Sequence, residues 1–151
     1  MSGTGTTDLT ESGGALPEMA ASLLGYWQHF NALGDRPTRD DFTPFSLQKW
    51  LGHLDVYGVE DEGETFRIRL NGTKVTENTR EDWTGCTAKD VDRKFGTSLQ
   101  QEVMDVVRSK KPAFQETRIF QKEFATAYRL MLPIFSREGD GKVVQVFLAI
   151  F

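Results

Sequence analysis

Residues 66–73 read Phe-Arg-Ile-Arg-Leu-Asn-Gly-Thr. Phe66, Ile68 and Leu70 alternate with Arg67, Arg69 and Asn71, the period of a strand with one apolar and one polar face. Asn71-Gly72 punctuates the run. Thr73 then offers a side chain suited to capping a short helical turn through Lys74-Val75-Thr76-Glu77-Asn78. A strand that stops abruptly in a small helical segment suits a fold in which a sheet walls one side of a cavity and short helices close the other.

Working upstream, Leu54 to Val59 reads as a partner strand, and Asp61-Glu62-Gly63 as the turn of a hairpin. Before it, Thr43 caps a helical piece with Pro44 at its first position. Phe45, Leu47, Trp50 and Leu51 give that piece its apolar side, with Trp50 and Leu51 expected to be buried, and Gly52 ends it. Further back, Pro17 opens a helix over 17–33, which Gly34 and Pro37 stop. Met19, Leu23, Tyr26, Trp27 and Phe30 make one stripe along it. Residues 1–15 are Gly, Thr, Ser and acid, too poor in apolar surface to offset the entropy of ordering, and read as a disordered tail.

Downstream, residues 74–96 form an irregular middle that holds Trp83, Cys86 and Phe95. A helix follows from Thr97, with a capping box to Gln100 and a buried face of Leu99, Val103, Val106 and Val107. Lys110-Lys111-Pro112 ends it. Three strands finish the chain: 114–121, 124–134 and 143–151. Thr126, Tyr128, Leu130 and Leu132 share one face of the second. Val144, Val146, Leu148 and Ile150 share one face of the third. Its other face carries Val143, Phe147 and Phe151, so both sides of the sheet need cover. The N-terminal helix is the natural cover for one of them.

The 151 residues suit a single domain over 16–151. Apolar content of 38% and charged content of 26% are those of a soluble globular protein. A net charge of −4 gives no basic footprint for nucleic acid. No run is long enough to span a membrane, and no signal peptide is visible, so a cytoplasmic location is the expectation. Cys86 is the single cysteine, which excludes an internal disulfide and a cysteine zinc site.

The element order is α+β with a five-stranded antiparallel sheet. Over about 19–151 the chain resembles the PAS_5 group of bacterial PAS-like proteins. The resemblance rests on Leu-x-x-Tyr-Trp at 23–27, Thr-Pro-x-x-Leu at 43–47 and Arg-Leu-x-Gly-Thr at 69–73. Thr-Gly at 84–85, Lys-Lys-Pro at 110–112 and Leu-x-Leu-Pro at 130–133 complete it. It implies strand order 2-1-5-4-3, with short helices on one face and the N-terminal helix on the other. It also implies a stand-alone sensory or adaptor domain in signal transduction, binding a small ligand, a signalling partner or both. No catalytic residues are shared within the group.

The cofactor is left unknown. The thiol of Cys86 lacks the Asn, Arg, Phe and Gln context of flavin-binding light sensors and reads as buried and inert. The longer helix has no histidine for haem, and His29 and His53 lack metal-ligand spacing. Arg69 reads as an ion pair tethering its strand to a neighbouring loop acid.

A ligand cavity would be lined by Phe66, Ile68, Leu70, Val103, Thr126, Tyr128, Leu130, Val146 and Leu148, against the alternative of a filled core. Met19, Leu23, Tyr26, Trp27 and Phe30 on the helix, with Met131 and Phe147 on the sheet, are the interface candidates. They would meet within one chain or across a homodimer. The competing class is an isomerase or hydro-lyase on a ketosteroid-isomerase-like cone fold. That reading needs Asp55 and Tyr128 to face each other in an open pocket.

Overall fold

The computed structural model describes residues 17–32, 36–73, 76, 81–118 and 126–151. The tail 1–15, the Gly34 stop, most of the turn 74–78 and the 122–123 turn lie outside the described residues. Helix α1 spans Glu18–Ala32 and is followed by strands β1, Leu54–Glu60, and β2, Thr65–Leu70. Helices α2, Ala88–Phe95, and α3, Leu99–Ser109, come next. Strands β3, Ala113–Arg118, β4, Thr126–Phe135, and β5, Val143–Ile150, close the chain.

All neighbouring strands are antiparallel, in the order β2-β1-β5-β4-β3. The β1–β2 hairpin turns through Asp61–Gly63, where Thr65 Oγ1 donates to Asp61 Oδ2 at 2.8 Å. Directly paired residues share a face, so the register sorts the sheet. Asp55, Leu148 and Met131 lie in one row, and Tyr57, Val146 and Pro133 in another on the same face. Val56, Phe147 and Leu132 lie on the opposite face.

Both faces are covered, as the two-sided apolar content of β5 requires. On the Phe147 side, Phe42 meets Phe147 edge-on at 5.3 Å, and Tyr26 and Phe30 of α1 pack on Phe42. Trp27 Nε1 donates to Pro133 O at 2.8 Å, which locks α1 to β4. On the Leu148 side α3 packs across β2, β4 and β5.

Several expected elements differ in detail. Residues 44–50 form successive turns in place of a regular helix, although Thr43 Oγ1 does accept from Ser46 N at 3.1 Å. Trp50 is buried there, Leu51 is half-buried, and Phe45 is 86% exposed. The middle is not wholly irregular. Thr87 and Asp90 form a capping box that starts α2, a helix with only Ala88, Val91 and Phe95 to mark an apolar side. The expected Thr97–Gln100 box is replaced. Asp92 of α2 accepts from Leu99 N at 2.7 Å and Gln100 N at 2.9 Å, so one helix caps the next. No described helix is long and apolar enough to cross a membrane.

Candidate functional site

The layer between the sheet and the α2–α3 pair is the candidate site. Phe66, Ile68, Val103, Val146 and Leu148 all border it and are all buried. Four other expected lining residues fall elsewhere. Leu70 is 41% exposed, because the β1–β2 register shifts between Val56 and Tyr57 and carries the end of β2 off the packed region. Leu130 pairs with Ala149, not with Leu148, and so lies on the α1 face. Tyr128 shares that face and stacks on Phe114, with ring centroids 5.7 Å apart and 11° between planes. Thr126 opens β4 and pairs with Arg118 of the edge strand β3. The alternation was read correctly along β4 and β5, while the β1–β2 register shift breaks it at Leu70. The pairing between strands was misread, and one residue of register moves a whole side-chain set to the other face.

The same register corrects the interface set. Met131 lies on the α3 face beside Leu148, not under α1. Leu23, Trp27 and Phe147 are buried within the single chain. Tyr26 and Phe30 are half-buried against Phe42, and Met19 is 37% exposed, its expected place in the stripe taken by Ala20 and Leu24.

Polar groups outside the expected cavity lining stand on the α3 face among these apolar walls. Asp55 is buried at 4% exposure. Its Oδ1 accepts from Asn71 Nδ2 at 2.7 Å and from Gly72 N at 2.8 Å. The Asn-Gly that ends β2 is therefore clamped to β1. Asn71 Oδ1 in turn accepts from Trp83 N at 3.0 Å. Burial raises the Asp55 carboxyl from 3.8 to about 6; the Gly72 and Asn71 bonds oppose the rise and the charge of Asp82 adds to it. Tyr57, two residues on, has its phenol pushed well above the ordinary value by burial and then by Asp55, with Arg129 acting in the opposite sense.

Arg129 is a cation on this face. Its guanidinium pairs with Glu102 of α3 through Nη2, which also donates to Gln115 Oε1 at 2.6 Å. Gln115 Nε2 donates to Glu102 Oε1 at 3.2 Å and closes the network. The Nε–H of Arg129 is buried without a partner among the described residues. A single charged residue set into an otherwise apolar strand, Asp55 in 54–57 and Arg129 in 128–132, was the available signal for both.

Asp55 and Tyr128 lie on opposite faces of the sheet and cannot act as an acid–phenol pair in one pocket. Cys86 is half-buried, not fully buried, and its carbonyl accepts from Ile68 N at 2.8 Å. Arg69 does form the expected ion pair, with Glu60 at 2.6 Å, and Arg67 shares that carboxylate at 3.1 Å. His53 Nδ1 lies 2.9 Å from Ile150 O. Among the described residues no group of three or more His, Cys, Asp or Glu is placed to hold a metal ion.

With the sheet order and the covered faces in place, the comparisons follow. The sequence profile of the PAS domain matches residues 17–146. The chain belongs to the PAS domain family. No curated protein matches the sequence. Among solved structures, this PAS domain is similar to a sensory box sensor histidine kinase from Vibrio cholerae, at 13% identity and a TM-score of 0.48. That similarity covers 82% of this chain and 96% of the kinase chain. It is also similar to an RNA-binding Light-Oxygen-Voltage receptor, at 11% identity and a TM-score of 0.50. That match covers 98% of this PAS domain but 37% of the receptor chain, so only the fold is shared.

Proposed function

We propose that this PAS domain is a sensory module that takes a small ligand between its sheet and the α2–α3 pair and reports to a partner protein. The observation that supports this most is the unpartnered, buried Nε–H of Arg129, on the same sheet face as Phe66, Ile68, Val146 and Leu148. Ligand sites are mostly apolar walls with a few placed polar groups. A buried donor left unmade costs about 1–3 kcal/mol, which a ligand acceptor would recover. The ligand is accordingly a small molecule with an apolar body and one hydrogen-bond acceptor, and the Arg129–Glu102 pair leaves no excess charge to demand an anion.

Native mass spectrometry of the chain purified from its own host tests the reading. A co-purifying small molecule that carries such an acceptor is expected. A bare chain under gentle ionisation would overturn the ligand reading, and a bare chain that retains a protein partner would put an adaptor in its place.

A further inference from the structure

We propose that the β1–β2 end of the sheet face that carries α1 is a docking surface for an acidic peptide segment of a partner protein. This face lies opposite the α3 face, and the inference rests on the partner half of the proposed function, not on the ligand half. Helix α1 packs on β4, and towards β2 the face opens. There Leu70, paired with Val56, is 41% exposed, and the Arg69 side chain is 54% exposed.

The floor of the surface is Gly58. It pairs with Arg67 of β2 and with Gln145 of β5, so all three share the face of Val56 and Phe147. The Arg69 side chain crosses over it: a Cβ on Gly58 would stand 2.9 Å from Arg69 Nε and 3.3 Å from its Cγ. Positive charge is in excess around this floor. Glu60 alone serves two arginines, accepting from Arg69 Nη2 at 2.6 Å and from Arg67 Nε at 3.1 Å. Arg39 adds a third guanidinium, 5.5 Å from the Phe147 ring. Its Nη1 donates to Phe42 O at 2.8 Å. The acids beside it in sequence are engaged elsewhere, Asp40 with Arg137 at 3.0 Å and Asp41 with Thr38 N at 2.9 Å. Among the described residues, three guanidinium groups thus share one carboxylate, in a chain whose net charge is −4.

Gln145 decides between a plain anion and a peptide. Its Oε1 is buried without a hydrogen-bond partner among the described residues. An anion would satisfy the arginines and leave that acceptor unmet, which is the costly state. A peptide brings both halves of the complement. Its carboxylates meet Arg39 and Arg69, a backbone N–H meets Gln145 Oε1, and an apolar side chain can rest on Leu70.

Nuclear magnetic resonance titration of the full chain with capped hexaglutamate, capped hexaglutamine and inorganic phosphate reads the surface. Hexaglutamate should shift the Gly58 amide, the Gln145 side-chain amide and the Arg39 and Arg69 Nε–H resonances together, and hexaglutamine should not. Binding should weaken about threefold in Arg39→Gln and again in Arg69→Gln, the effect of losing one exposed ion pair. Arg93→Gln, on α2, removes the same charge elsewhere and should leave binding unchanged. Shifts that bypass these groups, or an equal loss in Arg93→Gln, would overturn the surface. Phosphate that binds as tightly as hexaglutamate would also overturn it, leaving an anion site without peptide specificity. A partner retained in native mass spectra equally by the wild type and by the Arg39→Gln, Arg69→Gln double variant would overturn this surface and leave the partner reading standing. Where Arg39→Gln does not fold, Arg69→Gln decides alone, since that side chain is exposed and pairs only with Glu60.

Discussion

Asp55 and Gly72 meet as a carboxyl and a bare backbone, and each has a consequence for stability. With its carboxyl raised from 3.8 to about 6 in the folded chain, Asp55 binds its proton more tightly folded than unfolded. Its contribution is fully present below pH 3.8 and is lost as pH rises through about 6. The loss is about 3 kcal/mol, at 1.36 kcal/mol for each pH unit between the two values. Urea unfolding at stepped pH should show that decline in the wild type and its absence in Asp55→Asn. Gly72 makes a simpler case. An added methyl would meet backbone atoms of Gly52 and Leu54 on β1's approach, which cannot rotate away as a side chain can. Gly72→Ala should cost about 1–3 kcal/mol by overpacking, visible as a lower urea midpoint with an unchanged slope.

The elements hold together through caps and clamps that cross between them. Asp92 supplies the acceptors for the first turn of α3, so Asp92→Ala should leave two backbone donors unmet at once. A cost of about 2 kcal/mol is expected, with exchange protection lost first at Leu99 and Gln100. Such devices explain what the sequence disclosed. Strand periodicity and turn residues made β1, β2, β4 and β5 legible, because alternation and Gly or Asp punctuation are local signals. Helix α2 was not legible, since three apolar positions in eight residues look like loop. The cap of α3 was misread because Thr97–Gln100 has the right spacing, while the true cap comes from Asp92 on another helix. The cavity lining was half legible for a third reason. Alternation says which residues of one strand travel together, but the pairing of Met131 with Leu148 is set between strands. No local pattern encodes it.

For the molecule as a whole, the α1 stripe and the α3 face divide the roles. Leu23 and Trp27 are spent on the chain's own sheet, and the Trp27 indole is bonded to Pro133 O. Trp27→Glu would bury an unpaired carboxylate and should unfold the domain, not release a folded monomer. Sedimentation and circular dichroism together distinguish the two results, and a folded monomer from a wild-type dimer would restore α1 as a subunit interface. The α3 face is left as the part of the core that carries polar groups, and the account rests on its taking a ligand. The most direct measurement fills it. Val103 is fully buried on α3, and Val103→Phe should keep the fold at a cost of about 1–3 kcal/mol while adding a ring between α3 and the sheet. Native mass spectra of the wild type and of Val103→Phe, purified side by side from the native host, should show a bound small molecule in the first and none in the second. A filled variant that retains the adduct, or a wild type without one, would contradict the account.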